Sequence, residues 1–446
     1  MKRIIILAAA AAVCLLSATQ AYAQFGVWQK AEWTKQTDPQ TGITLNVLTD
    51  TLKNDKFLYQ TDPMWTPDGK YLLFRSSSRG ASEGEERVMP DGRKVRFSPT
   101  HVYFIEIATG RIIQATDDGL SGTGFLSNVS NKMYLSTGGR NQPWQMYVMD
   151  LDRLFKDAEK GKAKKASDYA TLVGTFPQDL DIMPGSYCIN SDDTYAYISC
   201  TREVSKEEME AAEKAAFKPE ENQPKKVGVG FSALAKMDLK TGEVTKITNV
   251  DFRMGHIQAS RFRPNEIVFC LETGGDAYQR MWFCDAEKGE FKPLYNETPL
   301  DWVTHETFAS EDYVYFNVLG WQDRLRKQVS GIFRINLRTD DVDCIGQVEM
   351  DKDRSSALTG RGFWHCNATR DNAWACGDTF AGSVWIMNVA NGHRYQIASD
   401  TKMAPDHAQP FFSPDRKHLC FQSGHYSGGT RLNLVMVDLT SLPFYE

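Results

Sequence analysis

Short runs of apolar and aromatic residues, each entered by a polar turn, recur at a spacing of about 50 to 70 residues, in the range of propeller blades carrying insertions. In the first half of each unit a turn leads into a strand. Thr66-Pro67-Asp68-Gly69 precedes Tyr71-Leu72-Leu73-Phe74, Arg263-Pro264-Asn265 precedes Ile267-Val268-Phe269, and Ser413-Pro414-Asp415 precedes His418-Leu419-Cys420-Phe421. The second half reads strand, turn, strand, as in Met281-Trp282-Phe283-Cys284 before Glu287-Lys288-Gly289. β-Branched and aromatic enrichment between regular turn signals predicts strands throughout. Seven such units fit an all-β, seven-bladed β-propeller, because a ring leaves only short sheet edges unpaired. The last unit stops at the C-terminus, one strand short. Ile43-Thr44-Leu45-Asn46-Val47-Leu48, after the Asp38-to-Gly42 turn, is expected to supply that strand and close the ring.

Three stretches interrupt the pattern. Arg79 to Arg96 is charged and glycine-rich, and reads as a long loop in the first unit. Ser205 to Lys226 carries a helix-like run from Glu207 to Lys214. The Lys160, Lys162, Lys164 and Lys165 cluster reads as a surface loop.

Residues 1–23 are set apart. Lys2 and Arg3, the apolar run from Ile4 to Leu16, and Ala21-Tyr22-Ala23 form a cleavable export signal. Residues 24–446 are expected to be one propeller domain, free of the membrane after cleavage and working in the periplasm or outside the cell. A net charge of −6 offers no basic field for nucleic acid. The eight cysteines after the signal sit mostly in apolar strand-like runs, so buried free thiols are favoured over a disulfide framework. No Cys-x-x-Cys pair marks a zinc ribbon.

Composition leaves function open; the histidines do not. His256, His305, His365 and His407 fall at matching points of four consecutive units, where innermost strands would begin and meet at one mouth of the channel. Gathered imidazoles point to a metal site or acid–base chemistry. His407 and Gln409, at i and i+2, project from one face of a strand. With His305 they offer two imidazole nitrogens and an amide oxygen, an incomplete set that leaves room for a substrate oxygen. His101, His393, His418 and His425 read as ordinary strand or surface residues.

The runs Gly255-His256, Phe269-Cys270-Leu271-Glu272, Arg280-Met281-Trp282, Thr304-His305-Glu306 and His407-Ala408-Gln409-Pro410-Phe411-Phe412 resemble the oligogalacturonate lyase family, pectin-degrading polysaccharide lyases with a seven-bladed propeller fold. The likeness runs from about Asp38 to the end and is better after Gly255. Phe57-Leu58-Tyr59-Gln60 also fits, and Tyr59 is a substrate-binding candidate. The resemblance implies β-elimination of short uronate chains, with His256 as base and manganese, or another divalent cation, on His305 and His407. Three positions depart from the family: Gln409 replaces a metal histidine, Ala404 falls near a glutamine ligand, and Ala233 falls near an arginine. In such a reaction a cation on the uronate carboxylate offsets the charge built up by proton removal. Arg280 and Arg361 are candidates for a carboxylate clamp, because guanidinium meets carboxylate bidentately. His365 is expected to bind substrate, assist as an acid or act as a further ligand.

Two alternatives stand beside this reading. One is a lyase for another uronate glycan, of the ulvan or rhamnogalacturonan type. The other is a non-catalytic, TolB-like binding propeller, which has no need of aligned imidazoles. A peptidase propeller is excluded, since no Gly-x-Ser-x-Gly elbow or hydrolase domain follows the ring.

Overall fold

A computed structural model describes residues 24–80, 85–88, 94–97, 99–139, 142–215, 230–320, 322, 325, 329–349 and 362–445. Residues 1–23, expected to be an export signal, and Arg361 lie outside the described residues.

Seven antiparallel sheets follow one another along the chain. Blade 3, for example, is built from Ile182–Ile189, Tyr195–Arg202, Ser232–Asp238 and Val244–Val250 in that order. Blade 4 uses Met254–Ala259, Glu266–Leu271, Met281–Asp285 and Glu290–Pro293. Blade 5 starts with Val303–Phe308 and Tyr313–Val318, and blade 6 with Phe363–Ala368 and Trp374–Thr379. Blade 7 combines Phe411–Phe412, His418–Ser423 and Asn433–Asp438 with the N-terminal strand Thr44–Val47, as expected from the missing strand. Asn46 pairs with Met436 and Val47 with Val435. A fifth strand, Thr34–Thr37, extends this sheet outward.

Neighbouring blades bury their facing apolar residues. Val268, Met281, Val303 and Phe316 pack between blades 4 and 5, and Trp374, Val384, Leu419, Phe421 and Val435 between blades 6 and 7. Each such side chain contributes about 1.5–3 kcal/mol by leaving water. The eight cysteines among the described residues are all free and seven of them are buried, which agrees with the thiol reading.

Two insertions differ from expectation. The Arg79-to-Arg96 stretch contains a hairpin, Glu85–Val88 paired with Lys94–Phe97, rather than an open loop. Helix α1, Leu151–Glu159, follows the third strand of blade 2. Asp150 caps it by accepting the Arg153 amide hydrogen, and Leu151, Leu154, Phe155 and Ala158 face the core at helical spacing. Helix α2, Lys206–Ala215, lies where the charged run predicted it.

The inner edge of blade 1 positions the site. Only Asp55–Lys56 and a Trp65–Leu72 bridge pair there, and the segment between them bonds across the channel instead. The Phe57 amide donates to Gln422 of blade 7, Gln60 O accepts from Asn367 of blade 6, and Thr61 O accepts from Arg261 of blade 4. This segment carries Tyr59 and Asp62 to the axis.

Candidate active site

Strand register identifies one position shared by all seven blades. Counting three residues back from the inner-strand partner of Leu72, Met133, Ala196, Ile267, Val314, Ala375 and Leu419 gives Asp62, Thr123, Ser186, His256, His305, His365 and Gln409. The histidine column is therefore real in blades 4 to 6. In blade 7 the shared position belongs to Gln409, and His407 stands two residues earlier.

The backbone at this position is specialised. In blade 4 the register slips between Gly255 and Gln258, and in blade 5 between Thr304 and Thr307. The residues inside these bulges include His256 at φ 48° and His305 at φ 55°; Gln409 has φ 50°. A bulge re-aims a side chain, at a cost on the order of 1 kcal/mol or more for a non-glycine residue in the left-handed region. Gln258 ties the inner strands of blades 4 and 5 together, donating to Glu306 O at 2.8 Å and accepting from the Phe308 amide at 3.0 Å.

The rings converge. Tyr59 lies 5.1 Å from the His256 ring, 6.5 Å from His305 and 5.9 Å from His365, between centroids. The His305 and His365 rings are 4.1 Å apart, and His365 and His407 are 5.2 Å apart. Trp364 packs on both His305 and His407.

Each end of this arc has a carboxylate behind an imidazole. His256 Nε2 faces Glu272 Oε2 at 3.3 Å. Glu272 is held in turn by the Gly274 amide at 2.6 Å and the Cys270 thiol at 3.8 Å. The His256 contact, backed by the Gly274 amide and the Arg280 charge, outweighs burial and brings the Glu272 carboxyl down to about 2. Gly255 makes the approach possible, since a Cβ there would stand 2.9 Å from the Glu272 Cβ. At the other end, buried Asp378 accepts from the His365 amide at 2.8 Å, from His365 Nδ1 at 3.1 Å and from the Gln409 amide at 2.9 Å. Burial alone would raise this carboxyl, but His365, His407 and the Gln409 amide together hold it below the usual range.

Donor atoms of His365, Asp378 and His407 all lie within 4.8 Å of one another. His407 Nδ1 is buried with no hydrogen-bond partner, and the His305 ring has Nδ1 3.0 Å from the Thr304 hydroxyl and the Trp364 backbone as a further partner. The Asp378 oxygens are already occupied by three N–H groups, so it orients His365 from behind, as carboxylates do for metal-bound imidazoles. These residues fit a divalent cation: three imidazoles share one patch, and one of them has an orphaned nitrogen. Gln409 is the predicted amide ligand, and its side-chain nitrogen donates to Asp406 at 3.3 Å.

Arg280 is no free clamp. Its Nε donates to Glu306 at 2.9 Å, both groups are buried, and this partner more than offsets the effect of burial, raising the guanidinium above its ordinary range. It nevertheless lines a cavity of about 520 Å³ with His256, Glu272, Trp302, His305 and Trp364. A second cavity, of about 730 Å³, also contains His256 and Glu272, with Tyr59, Asp62, Tyr187 and Arg253 around it. His256 thus stands where two lobes of one cleft meet. The arginine position of the family near Ala233 is filled by a fully buried alanine. Glu272, Glu306, Asp378 and Trp364 received no role from the sequence. An acidic residue inside the apolar Trp374–Thr379 run was the available signal for Asp378.

Fold and site together define a seven-bladed propeller whose polar, histidine-lined mouth combines an imidazole–carboxylate pair with an imidazole cluster. No family model matches the chain. It is 25% identical over 414 residues to oligogalacturonate lyase of Dickeya dadantii (strain 3937), covering 86% of this chain and 91% of that protein. A solved oligogalacturonate lyase in complex with manganese superposes with a TM-score of 0.66 at 19% identity, over 94% of this chain and 98% of that one. The oligogalacturonate lyase of Vibrio parahaemolyticus gives a TM-score of 0.67 at 16% identity, over 95% of this chain and 100% of that one. The chain resembles the oligogalacturonate lyases in sequence as well as in fold.

Proposed function

We propose that the protein is a lyase that cleaves acidic, uronate-containing oligosaccharides by β-elimination, working outside the cytoplasm. The observation that carries this reading is the His256–Glu272 pair at the junction of two cleft lobes, beside the His305–His365–His407 cluster. The likeness to oligogalacturonate lyases, one of them solved with manganese, supports the same reaction class.

His256 takes the proton from the carbon beside the uronate carboxylate. Glu272 fixes the ring orientation and stabilises the imidazolium that forms. A divalent cation, with manganese the first candidate, would be held by His305, His365 and His407, and when bound supplies positive charge to the carboxylate and the developing enolate. Arg253, the arginine lining the larger lobe among the described residues, is placed to meet a second carboxylate, because Arg280 is committed to Glu306. Trp302 and Trp364 in one lobe, and Tyr59 and Tyr187 in the other, offer aromatic faces to sugar rings.

Gln409, Ala404 and Ala233 favour a substrate other than plain oligogalacturonate, so the test uses a panel of galacturonate, rhamnogalacturonan and ulvan oligosaccharides. Absorbance of the unsaturated product is followed with added Mn²⁺ and with chelator. The expected result is product from at least one substrate, suppressed by chelator and by His256→Ala. No product from any uronate, with His256→Ala binding glycans as the parent does, would instead support a binding propeller.

A further inference from the structure

The inner strands end in different chemistry at the opposite mouth of the channel. Five residues beyond His256 and His365, roughly 15 Å along a strand, stand Arg261 and Arg370. Both line a narrow cavity of about 50 Å³ together with Gln60, Asp62 and Trp65. Arg261 donates one hydrogen bond, from Nη2 to Thr61 O at 2.9 Å. Among the described residues neither arginine has a carboxylate within ion-pair distance.

The rest of the lining is rich in unused donors. Gln60 is 1% exposed and neither atom of its amide has a partner. The Trp65 indole N–H, also in this cavity, is buried and unpartnered. Buried polar groups are nearly always satisfied, so this set calls for an occupant that accepts several hydrogen bonds at once. Asp62 does not serve. It is at the waist, lining the histidine-side lobe as well, and has no hydrogen bond to either guanidinium.

We propose that this far mouth is a binding site for a small oxoanion, gripped between Arg261 and Arg370 and completed by the Gln60 amide and the Trp65 N–H. Two guanidinium groups and two neutral donors match the acceptor-only oxygens of phosphate, sulfate or a carboxylate. The cavity is too small for an oligosaccharide, so the site is separate from the proposed cleft. Charge supports the geometry: burial and the nearby Arg370 charge bring the Arg261 guanidinium down to about 10, and an anion between them removes that repulsion.

Binding is measured on the full chain by calorimetry and by thermal shift, at constant ionic strength, with phosphate, sulfate, galacturonate and chloride. The phosphate and sulfate arms report a free inorganic anion, and the galacturonate arm a sugar acid. Saturable one-to-one binding of at least one oxoanion is expected, with a rise in Tm that chloride does not reproduce. Arg370→Gln, at an exposed position, should weaken binding about tenfold or more, the scale of one charge-assisted contact. Chelator should leave it unchanged. Absence of saturable binding, equal binding by Arg370→Gln, or loss of binding on chelation, which would place the anion at the histidines, would each overturn the proposal. None of these readouts depends on lyase activity.

Discussion

Blades 1 to 3 and blades 4 to 7 offer the same backbone position to the same mouth, yet one arc carries Asp62, Thr123 and Ser186 and the other His256, His305, His365 and Gln409. Ser186 lies in a bulge like those of blades 4 and 5. Propeller geometry therefore supplies the convergence, and side-chain choice on one arc supplies the chemistry. The second strand reinforces the split, because Glu272 and Asp378 stand behind imidazoles only in the second arc. Fold resemblance alone would not have separated a lyase from a binding propeller.

Emptying the proposed catalytic position should have the largest effect. His256→Ala is expected to lower kcat about 10²–10⁴-fold, the range of a lost general base, with little change in Tm, whereas Ser186→Ala, its counterpart on the quiet arc, should change kcat little. Steady-state kinetics on the two variants side by side would break the comparison if both lost activity equally. Asp378→Ala comes next. It removes the group that orients His365, so metal affinity, read by metal analysis after dialysis, should fall about 10–100-fold. Glu272→Gln keeps the shape of the other pair but not its charge, and a kcat loss of about tenfold with KM nearly unchanged is expected. Gly255→Ala would put a Cβ 2.9 Å from the Glu272 Cβ and force Glu272 to shift, which should cost about 1–3 kcal/mol in denaturant melts, together with a loss of activity like that of Glu272→Gln.

The smallest effect concerns Asp62, the titratable member of the quiet arc. Burial raises its carboxyl from 3.8 to about 6, against the pull of Arg75, Arg261 and His256. The folded state then holds this proton more tightly than the unfolded one. The stabilisation is complete below about pH 4 and is lost as pH rises through 6. Asp62→Asn should flatten this part of the stability profile and gain about 1–3 kcal/mol at pH 7 relative to the parent, measured by urea melts across pH.

The repeat was legible because alternation and turn chemistry are local, and each blade repeats them. The N-terminal closing strand was legible for a related reason: the last unit visibly lacked one. Helix α1 was missed although Leu151, Leu154, Phe155 and Ala158 carry its period, since a strand and a basic cluster flank it closely. The histidines were legible by position, but their partners were not. Asp378 lies thirteen residues beyond His365, on the next strand, and only antiparallel register brings them to 3.1 Å. The offset of His407 from the column was hidden because the turn after it resembles the others, while the strand it precedes pairs over only two residues. Arg280 looked like a clamp because its buried partner, Glu306, sits on another blade.

The imidazole arc is proposed to break the glycosidic bond by elimination. Digestion of a uronate oligosaccharide in water enriched in the heavy oxygen isotope, followed by mass spectrometry, tests it most directly. The expected result is an unsaturated fragment one water lighter than a hydrolysis product, with no heavy oxygen introduced by cleavage into either fragment. Heavy oxygen at the new reducing end, or no cleavage of any uronate by metal-replete protein, would contradict it.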